Sequence, residues 1–175
     1  MIQKDTTTRI AVISGLVLVL ALTRIIPHLP NFTPINAVCL FGGSMFRNRL
    51  LAFAVPIAVM LLSDLIIGFH NNMIAVYGAF ILVIFAGYLI RNKINITTVI
   101  STSIISSLTF FLVTNFSTWL GDPRYTQNLA GLFTDYTESL PFLRNQVLGD
   151  LFYSGAIFGL FALATKKFPI LMVRK

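Results

Sequence analysis

Long stretches without any charged residue are the feature of this sequence that most limits what it can fold into. Residues 25–46, 65–90 and 94–121 contain no Asp, Glu, Lys or Arg. A membrane-spanning helix needs about 20 consecutive, mostly apolar residues, and each stretch is long enough to supply at least one. Only 11% of the 175 residues are charged, against roughly a quarter in soluble domains. The sequence therefore predicts an all-α polytopic membrane protein.

The apolar stretches divide into six predicted spans within a single integral membrane domain that takes in the whole chain. The spans cover residues 10–26, 35–46, 50–68, 73–90, 96–116 and 145–165. The second is short for a full crossing, and we interpret it as a tilted or partly re-entrant element. Between the last two spans, apolar residues recur at helical spacing over about residues 127–140. This pattern predicts a short amphipathic helix on the outer side.

Basic residues alternate with these spans in a way that sets their orientation. Ten of the thirteen lie before the first span, after the sixth, or in the connections that follow the second and fourth. Lys and Arg are retained on the cytoplasmic side during insertion, so we predict a six-helix transmembrane bundle with both termini cytoplasmic. We expect it in the bacterial cytoplasmic (inner) membrane. The net charge of +7 does not indicate a nucleic-acid partner, because the basic residues flank spans and do not cluster with aromatic ones.

Polar and aromatic side chains concentrate at the predicted outer ends of the spans. Burying an unpaired polar group costs about 2–7 kcal/mol unless it lines a wet cavity, so a one-sided distribution favours a pocket that opens outward and binds a small-molecule substrate. Two of these residues also have a structural explanation: Arg24 could contact the lipid headgroups, and Trp119 could belong to an aromatic belt at the membrane surface. The candidate substrate-binding residues are Arg24, His28, Asn31, Asn36, Asp64, His70, Asn115, Trp119, Arg144, Asn145 and Asp150.

Two carboxylates in this set differ in their predicted helix positions. Asp64 lies about one turn from the C-terminal end of the third span, where the helix dipole disfavours an anion, so it must be paired, protonated or functional. We expect an ionised Asp64 held by Arg24, Arg144 or His70. Asp150 lies early in the sixth predicted span, where the dipole favours a carboxylate, and a structural role is open for it.

No metal or cofactor site is predicted. His28 and His70 are two imidazoles without clustered cysteines or carboxylates, which is a weak metal-binding set. The sequence contains no P-loop, dinucleotide fingerprint or His-Glu-x-x-His motif. The single cysteine, Cys39, lies in an apolar stretch and is expected to be a buried packing residue. Small hydroxyl residues at i, i+4 spacing in the fifth span, among them Ser103 and Ser107, predict a close-packed helix interface.

Several short motifs resemble a known group of proteins. They are Pro27-His28-Leu29-Pro30-Asn31-Phe32-Thr33-Pro34, Ala37 to Phe41-Gly42-Gly43, Ser63-Asp64 with Gly68 and His70, Thr114-Asn115-Phe116 with Trp119, and Pro141-Phe142-x-Arg144-Asn145 through Gly149-Asp150-Leu151. Over about residues 24–155 the chain resembles small bacterial membrane proteins of unknown function that are grouped with S components, the substrate-binding subunits of energy-coupling factor (ECF) transporters. S components are six-helix proteins with both termini inside and a pocket that faces outward.

The resemblance implies a membrane transport function. As an S-component-like subunit, the chain would capture a vitamin-like organic compound or a metal ion from the outer side for uptake. A transmembrane coupling subunit and two cytoplasmic ATPase subunits would be its partners, so this chain would itself be no enzyme and would need no cofactor. S components often carry a repeated Ala-x-x-x-Ala docking face on the first helix, which only Ala11 and Gly15 approximate here. A solitary importer or a different partner therefore stays open.

Two alternatives belong to other functional classes. An intramembrane enzyme, either a hydrolase or a lipid-modifying enzyme, would use His28 or His70 with Asp64, although the sequence shows no nucleophile motif at a suitable spacing. A membrane assembly subunit without a ligand is the other alternative. The sequence does not specify the substrate. Aromatic residues at the outer end favour a flat organic molecule, and Arg24 or Arg144 could accept its carboxylate.

Overall fold

The computed structural model of the protein describes residues 2–23, 29–69 and 71–171, and the regular structure within these residues is entirely helical. Four of the helices, α3, α4, α5 and α7, are long and apolar enough to cross a membrane, a composition compatible with a helical membrane protein. The elements are α1 (Ile2–Leu22), α2 (Ile35–Met45), α3 (Arg49–Ile67), α4 (Met73–Ile90), α5 (Ile96–Gly121), α6 (Leu129–Glu138), α7 (Leu140–Lys167) and a 3-10 helix (Pro169–Leu171).

Each predicted span and the predicted outer segment coincide with a helix, but several ends are shifted. α5 continues to Gly121, past the predicted end at residue 116. α7 begins at Leu140 and not at residue 145, because Pro141 is favourable in the first turn of a helix. α1 begins by Ile2, well before residue 10. The apolar part of α1 and the whole of α2 are shorter than a full span, so the six-span count and the side of the termini stay predictions.

The short helix α2 occupies the centre of the molecule. All of its residues are buried, and it packs against α1, α3, α4, α5 and α7. Cys39 lies in it and is buried, as expected for a packing residue. At 1.5 Å per residue, α2 is about 16 Å long, roughly half of the 30 Å hydrocarbon core of a bilayer. α2 therefore cannot cross a membrane alone and is surrounded by longer helices.

Glycines hold α2 against α4 at backbone distance. A Cβ atom at Gly43 of α2 would stand 2.1 Å from the carbonyl oxygen of Ile84, and one at Gly87 of α4 would stand 2.3 Å from the carbonyl oxygen of Leu40. Non-bonded atoms cannot approach so closely, so any side chain at either position would push the helices apart. The two glycines thus fix the position of α2 on its α4 side.

An arginine from α1 closes the C-terminal end of α2. Arg9 donates from Nη2 to the Met45 carbonyl oxygen at 2.7 Å and from Nε to the Leu171 carbonyl oxygen at 3.0 Å. Met45 is the last residue of α2, where a positive charge complements the helix dipole and satisfies a carbonyl that has no partner within the helix. Nearby, the Arg91 guanidinium lies 4.1 Å from the centre of the Tyr88 ring. This end of the molecule is rich in positive charge.

The helix α6 packs on α5 with a polar side chain turned inward. Asp135 is buried, and the Tyr136 hydroxyl donates to the Leu112 carbonyl oxygen of α5 at 2.7 Å. Leu129 and Phe133, by contrast, are 84% and 74% exposed. The apolar side of this helix therefore faces away from the bundle, an orientation typical of helices that lie in the lipid headgroup region.

Candidate functional site

A cavity of about 260 Å³ lies beside the N-terminus of α2. Its walls come from the loop before α2, the first turn of α2, the end of α3 and the first half of α7. Three of the predicted site residues meet here, and a fourth, Asn145, donates from Nδ2 to the Pro30 carbonyl oxygen of the same loop at 3.1 Å. The lining residues are Asn31, Thr33, Ile35, Asn36, Ile67, Gln146 and Asp150.

The loop before α2 makes a tight turn at Asn31 along the cavity wall. It leaves the N-terminus of α2 without a side-chain cap. Asn31 has a φ of 59°, a left-handed conformation that asparagine tolerates better than most residues. Pro34 takes the N-cap position, where its carbonyl accepts from the Val38 N–H at 2.8 Å, but it supplies no side-chain acceptor. The first N–H groups of α2 consequently have no helical partner, and the positive end of its dipole lies next to the cavity that Thr33 and Ile35 line.

Asp150 is the charged group of the cavity wall, and its side chain is 2% exposed. Its Oδ2 accepts hydrogen bonds from Asn36 Nδ2 at 2.9 Å and from Ser107 Oγ at 2.6 Å. Both donors are neutral, and the described residues place no cation against this carboxylate. Neither bond reaches Oδ1. An ionised carboxylate accepts at about four positions, so the protein itself satisfies Asp150 only in part.

The helix dipoles do not make up this deficit. α7 begins at Leu140, so Asp150 lies well beyond the first turn, where the dipole of a helix acts. The expectation that it sits early in its helix was wrong because the helix starts sooner than predicted. The end of α2 offers about 0.3–1 kcal/mol, and up to about 2 kcal/mol when buried. Leaving a buried charge without its partner costs about 3–5 kcal/mol in other proteins, so the carboxylate remains undercompensated.

Two further acceptor oxygens in the same wall have no donor. Asn36 Oδ1 and Gln146 Oε1 are buried and make no hydrogen bond within the described residues, and each side chain is only 5% exposed. Gln146 precedes Asp150 by four residues and therefore lies on the same face of α7. A buried acceptor without a donor costs about 1–3 kcal/mol. The wall thus gathers three oxygen acceptors that the described residues do not satisfy, one of them on a carboxylate.

Ser107 can form a hydrogen bond with Asp150 whether Asp150 is ionised or protonated. Its Oγ lies 2.6 Å from Asp150 Oδ2 and 3.0 Å from the Ser103 carbonyl oxygen. A hydroxyl has a single hydrogen, so it can donate to only one of these oxygens at a time. When it donates to the carbonyl, its own oxygen is available to accept from a protonated Asp150. The Ser103 Oγ contacts Ser154 Oγ of α7 at 2.9 Å, which agrees with the predicted hydroxyl-lined interface.

Asp64 was predicted to lie in the substrate pocket, but the structure places it outside the cavity beside α2. It is buried in the last turn of α3, as expected, and its Oδ2 accepts from the Tyr77 hydroxyl at 2.5 Å. It does not line the cavity. Of its three expected partners, Arg24 and His70 lie outside the described residues, and Arg144 is exposed on α7.

Asn115 and Trp119 are not brought to the cavity. Asn115 Nδ2 donates to the Phe111 carbonyl oxygen of its own helix at 2.8 Å, and Trp119 Nε1 donates to the Thr126 carbonyl oxygen at 3.0 Å. Trp119 thereby fixes the loop that follows α5. His28, like Arg24 and His70, lies outside the described residues, so the roles of these three stay predictions. Within the part of the chain that is described, no three His, Cys, Asp or Glu side chains come together as a metal site.

Sequence reasoning missed four of the lining residues, Thr33, Ile35, Ile67 and Gln146. A signal existed for Gln146, because a polar residue four positions before a buried Asp shares its helical face. Ile67 carried none, since its place in the wall depends on how α3 ends against α2 and α7.

Two other recesses lack an unmatched charge. One of about 380 Å³ lies between residues 71–72 and 117–123. Its carboxylate, Asp122, pairs with Arg124 at 2.6 Å, and hydrogen bonds from Arg124 lower the pKa of Asp122. The other, about 640 Å³, is a mostly apolar groove between α5 and α7 along Gly155 and Gly159. Asn72 Oδ1, in the first of these recesses, is also a buried acceptor without a hydrogen-bond partner within the described residues. Of these three recesses, the cavity beside α2 is the one in which such acceptors adjoin a carboxylate that no described cation pairs.

Comparison with known proteins identifies a family and no closer relative. No curated protein matches the chain, and no solved structure matches it. The family match makes no reference to ECF S components, so that resemblance remains a prediction. The family model describes a family of unknown function, DUF6580, and it matches residues 4–171. Because this range takes in nearly the whole sequence, the chain belongs to the DUF6580 family.

Proposed function

We propose that the chain is the substrate-binding protein of a membrane uptake system, and that the cavity beside α2 captures a small molecule from the outer side. The observation that carries this proposal is the cavity wall, where a buried carboxylate meets two amide oxygens that lack donors. Polar groups held among apolar helices at such a cost are typical of ligand or ion sites. The ligand class is a vitamin-like organic compound or a metal ion.

The proposal includes a topology of six spans with both termini cytoplasmic, in a bacterial inner membrane. The cation-rich end of the molecule, where Arg9 and Arg91 lie, would then face the cytoplasm. The N-terminus of α2 and the cavity would face outward. A half-length helix whose N-terminus points at a ligand site is a known arrangement in transporters.

The proposed mode of action is that of an S component. The chain binds the substrate, and separate ATPase subunits, joined through a transmembrane coupling subunit, supply the energy. The sequence has no nucleotide-binding loop, which supports a binding role without ATP hydrolysis by this chain.

Mass spectrometry of the purified protein tests the binding role directly. Protein isolated in mild detergent should carry a small molecule at up to one equivalent. Gln146→Leu removes one acceptor of the cavity at similar volume and should reduce the amount bound, whereas Asn71→Ala, in the neighbouring recess, should leave it unchanged. Equal retention in both variants, or no bound molecule together with no uptake by cells, would refute the proposed function.

Cysteine labelling tests the topology. The native Cys39 is buried and should not react. Asn71→Cys is expected to react with an impermeant maleimide in intact cells, and Asn92→Cys only after permeabilisation, because both residues are exposed on opposite sides of the predicted membrane. Labelling of Asn92→Cys in intact cells would rule out the six-span orientation.

Affinity purification tests the partners. If the chain acts as an S component, ATPase subunits should be recovered with it, and uptake should stop when cellular ATP is depleted. Uptake that survives without any ATPase partner would instead identify a solitary carrier.

A further inference from the structure

The structure points to a positively charged ligand. Resting on the proposed function and deepening it, we infer that the cavity beside α2 binds a monovalent cation, either an organic ammonium compound or an alkali ion, and that Asp150 is its counter-ion. The inference concerns the charge and donor pattern of the ligand, which neither the family match nor the composition of the chain specifies.

Asp150 gives the site a charge of −1 when it is ionised, and the elements around it, as far as the structure describes them, do not balance this charge. α5 contains no charged residue at all, and α2 contributes the neutral Asn36. On α7, Arg144 is an exposed residue near the start, and Lys166 and Lys167 lie in the last turn. The loop residues 29–34 and the lining Ile67 carry no charge. One cation of single charge would therefore neutralise the cavity.

The hydrogen-bonding pattern gives the same answer independently of charge. Asn36 Oδ1 and Gln146 Oε1 are buried acceptors without a donor within the described residues. The third acceptor is Asp150 Oδ1, because both hydrogen bonds to this carboxylate end on Oδ2. An ammonium group, with up to three N–H donors, matches three acceptors. Alkali ions bind oxygen ligands as well, but the cavity of about 260 Å³ is far larger than the roughly 30 Å³ that one water takes up in the liquid. An organic ammonium compound fits this space better than a bare ion.

Ser107 allows the cation to leave the site without leaving Asp150 as an unpaired negative charge. When the cation leaves, Asp150 takes up one proton from cavity water, so one positive charge replaces another. The protonated Oδ2 then donates to Ser107 Oγ, whose own hydrogen turns to the Ser103 carbonyl oxygen at 3.0 Å. Rebinding of the cation releases the proton to the cavity. Cation release and proton uptake are thus linked one to one.

Thermal unfolding of the wild-type protein in nanodiscs tests the inference with defined probes. The probes are propylammonium, choline, sodium and potassium as chlorides at equal ionic strength, with 1-propanol as the neutral isostere of propylammonium and propionate as an anion. At a concentration about a hundredfold above its Kd, propylammonium should raise the melting temperature by about 5–10 °C. Choline, which has no N–H donor, should act more weakly, and propanol and propionate should not act. Stabilisation by sodium or potassium alone would support the cation site and identify an alkali ion as its occupant.

Asp150→Asn should abolish the propylammonium shift, and Glu138→Gln, which removes an exposed carboxylate from α6, should preserve it. A shift that persists in Asp150→Asn would overturn the inference, as would an equal shift with propanol or no shift with any of the four cations. The wild-type comparison of propylammonium with propanol decides the matter even if Asp150→Asn fails to fold.

Infrared difference spectroscopy tests the proton exchange in the wild-type protein. Cation-free protein at neutral pH should show the carbonyl band of a buried protonated carboxyl group, and saturating propylammonium should remove it. A band that is absent without cation, or that survives saturation, would refute the exchange. A neutral or anionic solute found in this cavity would overturn only the inference, whereas a cavity that binds nothing in mass spectrometry and supports no uptake would overturn the proposed function itself.

Discussion

The two ends of α2 are completed in opposite ways. At the C-terminus, Arg9 donates to the Met45 carbonyl oxygen at 2.7 Å, so the protein supplies the positive charge that the negative end of the dipole favours. At the N-terminus, Pro34 offers no side-chain acceptor, and the neighbouring carboxylate of Asp150 has only neutral donors. One end is satisfied from within the chain, and at the other end some polar groups have no partner among the residues that the structure describes.

Under the proposed function, this difference separates a structural end of α2 from a ligand-binding one. Native proteins pair nearly all of their buried polar groups, so the exceptions call for a specific explanation. Both ends of α2 are buried in the same bundle, and the same sequence was able to place an arginine at one of them. The ligand that we propose would supply the missing donors at the other end.

The largest effect should follow from displacing α2 as a whole, which would disturb both ends together. Gly43→Ala with Gly87→Ala introduces two methyl groups at 2.1 and 2.3 Å from backbone oxygens, at about 1–3 kcal/mol or more for each overpacked site. The double variant should lose most of its folded yield, as measured by size-exclusion chromatography. Gly78→Ala, on the same helix α4 but with open space around its Cβ, is the control and should be as stable as the wild type. Equal behaviour of the two variants would show that α2 is not fixed by this contact.

Removing Arg9 should lower the stability of the protein by disturbing the C-terminal end of α2, without affecting the cavity at the N-terminal end. Arg9→Ala deletes two hydrogen bonds from a charged group to carbonyl oxygens, each worth about 1.5–3 kcal/mol, so unfolding should require about 3 kcal/mol less. Binding by the folded fraction should not change. Lys93→Ala removes an exposed basic side chain and should alter stability by less than about 0.5 kcal/mol. A binding defect in Arg9→Ala would erase the distinction between the two ends.

The two buried aspartates should respond differently to the same chemical change. Asp64→Asn weakens the hydrogen bond with Tyr77 and should cost about 1.5–3 kcal/mol of stability while leaving ligand affinity near the wild-type value. Tyr77→Phe removes the same donor and should reproduce the loss of stability. Thermal unfolding and ligand affinity are to be measured on one preparation. Lower ligand affinity in folded Asp64→Asn would show that Asp64 takes part in binding, as the sequence analysis predicted.

The smallest effect should distinguish two adjacent serines of α5. Ser107→Ala removes a donor to Asp150 at 2.6 Å and should cost about 0.5–1.5 kcal/mol. Ser106 is also buried, but its Oγ has no hydrogen-bond partner, so Ser106→Ala should be neutral or slightly stabilising. Chemical denaturation of both variants checks the contrast. Equal losses would show that the bond between Ser107 and Asp150 contributes little.

Hydrophobic length and composition predicted the helical segments well, because apolar periodicity is a local property of the sequence. α4 runs over the predicted residues 73–90, and the short second segment corresponds to the buried α2. The ends were predicted less well where a helix continues into polar sequence. α7 begins at Leu140 because Pro141 suits a first turn, and that shift of about one turn changed the interpretation of Asp150.

The candidate site could be predicted only in part, because it depends on contacts between distant segments. The polar character of Asn36 and Asp150 was visible in the sequence, but their separation of 2.9 Å joins residues 114 positions apart. Asn115 was included because it is a polar residue within a span, although it only donates to a carbonyl of its own helix. Polarity within a span thus indicates candidates, and packing decides which of them meet.

The short length of α2 has a consequence for how the protein is made. A helix of eleven residues is too short to be held in a bilayer by its own hydrophobicity. Its surroundings are supplied chiefly by α4, and then by α7 and α3, and all three follow it in the chain. During synthesis, the buried position of α2 is therefore complete only after α7 has been made. Loss of α7 would leave α2 open on one side, so the ribosome has to deliver nearly the whole chain before the enclosure of α2 is complete.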